Sequence, residues 1–263
     1  MSYYPIFSLP FAESFVVVHN FSPSSLQFVR PRRRYLYITY TDGTKWTTTL
    51  LHEMIPFSSF EVSYYQISHL LPSSSTGFLF LSTNSTLEQV TSILPPSDTP
   101  LTLPAWRSTI GVRLTSGVTS SYQGEILPFP PKASLLTFDL LSQKSPHLAN
   151  YLLFFNLQSA PEISAHSLQV NDLLPPHGLR DSHVLYSNSL TLIPLSNSAY
   201  DQASPLVFTS RAVSGVPLFL TISKDYNSIS LEHTHPPAAL SIFGNRYAVQ
   251  KSLKSRWFSL VNG

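Results

Sequence analysis

Residues 32–51, RRRYLYITYTDGTKWTTTLL, leave a chain little choice but a β-hairpin. Two arms rich in Tyr, Ile, Thr and Leu flank Asp42-Gly43, a dipeptide that tolerates the positive φ angles of a tight turn. On the first arm a period of two sets Tyr35, Tyr37 and Thr39 on one face, with Leu36, Ile38 and Tyr40 on the other. SFVVVHNF, FEVSYYQISHLL, GFLFLS and ASLLTFDLL continue the pattern as short runs closed by Pro, Gly or Ser. TIGVRLTSGVTSSYQGEI reads as strand, turn and strand. HVLYSNSLTLIPL reads as a hairpin about Ser187-Asn188-Ser189, and VPLFLTISKDYNSISLEHT as another with Lys224 to Asn227 in its turn. The 22 prolines interrupt long helices. The expected fold is therefore all-β: an antiparallel sandwich, jelly roll or barrel with one or two short helices.

One helix is expected at residues 85–94, STLEQVTSIL. Ser85 can cap it, Glu88 follows three residues later, and Leu87, Val90, Ile93 and Leu94 keep helical spacing up to Pro95-Pro96. SPHLANYLLFFNLQ and YAVQKSLKSRWFSLV leave helix and strand open. Residues 95–106, PPSDTPLTLPAW, divide the chain into a smaller β-rich unit, 1–94, and a larger sandwich-like unit, 107–263. The same prolines would equally suit a stiffened crossing within one domain.

Composition narrows the function. Apolar residues make up 43%, which argues against wholesale disorder, while charged residues reach only 11%. The surface must then be largely neutral and hydroxyl-bearing. A formal charge of +2 gives no support for nucleic-acid binding and little repulsion between copies, so a homo-oligomer is a natural partner state. The lack of cysteine excludes disulfides, zinc–thiolate sites and a cysteine nucleophile. No apolar run reaches the ~20 residues of a spanning helix, and the N-terminus lacks the marks of a signal peptide. The expectation is a soluble, cytoplasmic protein. Asn20-Phe21-Ser22 and Asn84-Ser85-Thr86 match the glycosylation pattern by chance.

Chemistry concentrates in SISLEHTHPP, residues 228–237. On a strand, Ile229, Leu231, His233 and His235 share one face, and Glu232 points away. Histidines at this spacing can share a divalent transition metal, an arrangement similar to the H-x-H strand of cupin-type jelly rolls. This chain departs from cupins by continuing Pro236-Pro237-Ala238-Ala239-Leu240, without their following glutamate. A third ligand would have to come from elsewhere: Glu125, His166, His183 or Asp225. A strand end whose histidines bond to backbone carbonyls is the competing reading.

A second constellation lies in RLTSGVTSSYQGEI, where Arg113, Tyr122, Gln123 and Glu125 surround a Gly-bracketed turn. Such groups can hold a sugar or a carboxylate, although small residues there also suit a simple turn. The basic run Arg30 to Arg34 reads as a strand entry or an inter-subunit contact. No phosphate loop, dinucleotide fingerprint or HExxH is present. The sequence thus points to a noncatalytic β-rich binding or assembly protein, needing no cofactor, that contacts glycan or protein through hydroxyl and aromatic groups. Its rival is a cupin-like or sandwich enzyme with a His233/His235 pocket, metal-dependent in one version.

Overall fold

The structure, a computed structural model, describes residues 2–20, 32–72, 76–98 except 88, 108–128 except 125 and 127, 134–139, 145–174, 178–195, 205–233 except 212 and 214, 252 and 255–261. Among these residues it is all-β, with four antiparallel sheets in a sandwich-type arrangement and short helices at Tyr64–Ile67, Ser68–Leu70 and 255–261. The first sheet runs in the order β1 (Tyr4–Ile6), β7 (Gly77–Ser82), β4 (Arg34–Thr41), β5 (Trp46–Met54), β8 (Val90–Thr91). The second runs β10 (Thr119–Gly124), β9 (Ser108–Leu114), β3 (Ala12–Asn20), β2 (Ser8–Leu9), with β6 (Ser58–Ser63) also on β3. β15 (Leu190–Pro194), β12 (Leu148–Phe155), β17 (Val216–Ser223) and β18 (Ile229–His233) make the third. The fourth is β11 (Leu135–Asp139), β16 (Leu206–Ser210), β13 (Ala165–Asp172) and β14 (Leu179–Tyr186).

Side-chain alternation explains how the layers stack. In the first sheet Leu36, Ile38, Leu79 and Leu81 turn one way and pack with Val16, Val18 and Val62 of the second sheet. Tyr37, Trp46, Phe78 and Phe80 turn the other way and meet Leu153, Phe155, Leu218 and Leu220 of the third. The third sheet is likewise apolar on both faces, since Leu152, Phe154 and Phe219 pack against Leu168, Val170 and Phe208 of the fourth. A strand buried on both faces reads as a continuous apolar run, as GFLFLS and YLLFF do. Burial of each large side chain contributes about 1.5–3 kcal/mol. Polar ties cross the same boundary: Trp46 Nε1–H donates to Ser159 O (3.1 Å), and Thr41 O–H to Pro161 O (2.8 Å).

β9 and β10 follow the proline-rich stretch in sequence, and β9 pairs with β3 near the N-terminus along Ala12–Val17. On the far side of the fourth sheet, Trp257 and Val261 of a helix at residues 255–261 cover Leu136, Phe138 and Val207. No helix among the described residues is long and apolar enough to cross a membrane.

Four local expectations need correction. The β4–β5 hairpin forms, but Thr41 pairs with Trp46, leaving a four-residue loop, Asp42 to Lys45, instead of a tight turn. Asp42 Oδ1 accepts bonds from Thr44 N–H, Thr44 O–H and Lys45 N–H, closing that loop from its side chain, with Gly43 at φ +92°. The described residues among 85–94 form no helix: β-branched Val90 and Thr91 join β5, and Gln89 O accepts the Thr48 N–H. The short helix stands instead at Tyr64–Ile67, within FEVSYYQISHLL, where Gln66 Oε1 caps the Ser63 N–H (2.9 Å). Ser187-Asn188-Ser189 is no hairpin turn either, because β14 and β15 belong to different sheets. Asn188, at φ +56°, turns the chain across the sandwich and binds Ala160 O and Glu162 O with its amide. SPHLANYLLFFNLQ contributes strand β12.

Candidate functional site

β18 ends its sheet among the described residues, and β10 of the second sheet runs beside it without a regular ladder. Leu231 N–H donates to Ser120 Oγ (3.0 Å), and Ser116 O–H to Tyr226 O (2.7 Å), so the two hairpins lie side by side. This contact brings His233 against Tyr122, with ring centroids 5.3 Å apart. Gly124 makes room for that arrangement: a Cβ there would lie 2.2 Å from the Tyr122 ring. His233 is half-buried beyond buried Leu231, while Glu232 faces solvent. His235 and Glu125 lie outside the described residues.

The remaining candidates do not converge on His233. Tyr122 shares a face with its cross-strand partner Ile110, whereas Arg113 and Gln123 occupy the opposite face. There Arg113 bridges Glu13 (3.2 Å) and Glu61 (2.9 Å) and lies 4.8 Å over the Phe15 ring. The Glu61 bond, with Glu13 behind it, pushes the guanidinium pKa above its ordinary value. Buried Glu13 also accepts the Tyr65 N–H (3.1 Å), so Arg113 is tied into the second sheet and its adjoining helix. His166 and His183 stand on the fourth sheet. Asp225 lies in the turn at the other end of the β17–β18 hairpin, where hydrogen bonds from Ser223 and Asn227 lower its pKa. Among the described residues no three His, Cys, Asp or Glu side chains are grouped as metal ligands would be. The basic run is partly occupied as well: Arg33 pairs with Glu53 (2.6 Å), and buried Arg34 donates to Asn20 Oδ1 (2.6 Å).

A concave surface lies elsewhere. Residues 84–96 cross the edge of the first sheet as a strap beside β5. Tyr37 O–H donates to Asn84 O (2.9 Å), Thr48 N–H to Gln89 O (2.8 Å), and Leu94 N–H to Ser159 O (2.9 Å). Tyr3 O–H holds Pro95 O, and Asp98 closes the strap by accepting the N–H and O–H of Thr83. Between strap and strand is a cleft of about 520 Å³ lined by Tyr37, Thr47, Thr49, Leu50, Ser85 and Thr86 among others. It adjoins another of about 740 Å³ along Leu87, Val90, Thr91, Ser92 and Ile93. Among the described residues no charged side chain lines either cleft. Leu50, Val90 and Ile93 are 47%, 47% and 65% exposed, an apolar strip between hydroxyls. Tyr37 is the one titratable group in the lining among the described residues; burial pushes its pKa up, away from acid–base work near neutrality.

Sequence reasoning missed this site because the strap mimicked a helix. The signals that could have marked it are the Thr47-Thr48-Thr49 run and the β-branched pair Val90-Thr91. No family model, no curated protein and no solved structure matches this chain.

Proposed function

We propose that the protein is a noncatalytic binding or assembly protein whose ligand surface is the cleft between β5 and the 84–96 strap. The observation carrying this reading is the lining itself: hydroxyls and aliphatic side chains, with no charged group among the described residues. A cleft of this kind selects by shape, hydrogen bonding and apolar contact. A protein partner suits it better than a glycan. Sugar rings stack their C–H faces on exposed aromatic rings, whereas the one aromatic ring in the lining among the described residues, Tyr37, is 3% exposed. The His233–Tyr122 corner is the second reading, supported by the contact between those rings.

The test is a selection from an extended-peptide display library and a neutral-glycan array, each run with wild type, with a Leu50→Lys/Ile93→Lys double variant, and with His233→Ala. Uncharged peptides that bind wild type and His233→Ala but not the double variant are the expected outcome. Ligands lost with His233→Ala and kept by the double variant would overturn it.

A further inference from the structure

The molecule presents a second, different surface at β14, the last strand of the fourth sheet. β13 pairs with it on one side, and no strand does on the other among the described residues. Ser187 N–H donates to Ser164 O (3.0 Å), which sets the alternation of the ladder. Asp181, His183 and Leu185 therefore turn their main-chain groups to β13, and Ser182, Val184 and Tyr186 turn theirs to the open side. Tyr186 N–H indeed reaches Thr191 Oγ1 of β15 on that side (3.3 Å), and Ser182 N–H is held locally by Asp181 Oδ1 (2.7 Å). Leu179, Val184 and Tyr186 are 61%, 49% and 45% exposed. β14 contains neither proline nor lysine, and its one register shift lies at its start, opposite Val170/Asn171. An edge so exposed is a template for another strand.

We infer that the occupant is a second copy of this chain, with β14 pairing antiparallel to its own counterpart about a two-fold axis at Ser182. Self-complementarity carries the inference. Centred there, Ser182 faces Ser182 and Asp181 faces His183, within the regular part of the strand that follows the irregularity at Arg180. Within one copy His183 Nε2 already lies 3.3 Å from Asp181 Oδ2, so acid and imidazole alternate across the axis. Neighbouring registers lose this match: centring on His183 opposes histidine to histidine, and centring on Arg180 opposes arginine to arginine. The result joins two four-stranded sheets into one, an isologous and closed dimer. A net charge of +2 does little to oppose it. Ser182 N–H passes from Asp181 to the facing carbonyl as the pair forms.

The absence of cysteine makes the test clean. Ser182→Cys places one thiol per copy on the axis, within disulfide reach across a strand pair. Mild oxidation of the full chain gives a covalent dimer on a non-reducing gel, and Ser167→Cys, one strand further in, stays monomeric. In sedimentation the wild type shows a concentration-dependent dimer. Val184→Pro abolishes it, since that N–H faces the open side and the β13 ladder is untouched. Val184→Lys does the same should proline disturb the strand, and circular dichroism checks that both variants are folded. A wild type monomeric at every concentration, a dimer insensitive to both Val184 variants, or open-ended polymers would each overturn the proposal.

Discussion

The first and fourth sheets end in opposite ways. At the first, β5 is crossed by a strap whose carbonyls are taken by Tyr37 and Thr48, and the sheet behind it is buried on both faces. At the fourth, no strand among the described residues pairs with the outer side of β14, and helix 255–261 covers the outer face on the side of β11 and β16. The two proposals give these ends different jobs. Where apolar packing lies on both sides of a sheet, its edge can be shaped into a rigid cleft. Where packing lies mainly on one side, the edge stays available to another strand.

Variants sharpen that contrast. Phe80→Ala removes a ring at 0% exposure that stacks on Tyr37, with centroids 5.5 Å apart, and should cost about 3–5 kcal/mol in urea unfolding. Because its cluster joins the first and third sheets, the loss should appear as one shifted transition. Two transitions with one unmoved would break the comparison. Asn20→Ala comes next: its buried amide binds the carbonyls of Arg32, Met54 and Ile55, and its Oδ1 accepts from Arg34. Orphaning those groups should cost about 2–3 kcal/mol by the same assay. Tyr37→Phe releases the strap at Asn84 for about 1 kcal/mol, and faster amide exchange in residues 84–94 would report it. Leu50→Lys, at an exposed position, should shift stability by less than about 0.5 kcal/mol while abolishing binding at the cleft.

Acid should loosen the strapped end in a defined direction. Burial raises the Asp98 pKa, but the bonds from Thr83 and Ser82 and the charge of Arg34 more than offset this and leave it lowered. Asp42, bonded by Thr44 and Lys45, falls from 3.8 to about 2. Both carboxylates bind protons less readily folded than unfolded. Their stabilisation is therefore complete above the ordinary carboxylate value and lost as pH falls through the lowered folded values. Unfolding free energies measured from neutrality down should stay flat in this respect to about pH 5 and then decline.

Much of this architecture was legible in the residues. Alternation in YLYITY separated the two faces of β4 correctly, and Asp42-Gly43 marked its loop. What was not legible depended on contacts distant in sequence. Residues 85–94 have helical spacing, yet Thr48 captures the Gln89 carbonyl and Tyr37 holds that of Asn84 just before them, and a single segment cannot reveal its captors. Ser187-Asn188-Ser189 resembles a hairpin because Asn accepts positive φ, but the carbonyls of Ala160 and Glu162 draw that turn across the sandwich. At the candidate site, the strand period put Ile229, Leu231 and His233 on one face. It could not show that Tyr122 would meet His233, or that Arg113 would be drawn to Glu13 and Glu61 on the other side of the sheet.

The most direct measurement is hydrogen exchange on the full chain, with and without the tightest uncharged peptide from the display selection. The account predicts slowed exchange at Thr49 to Leu51 and along residues 84–94, with residues 119–124 and 229–233 unchanged. Protection confined to those last two segments would contradict it and move the binding surface to His233 and Tyr122.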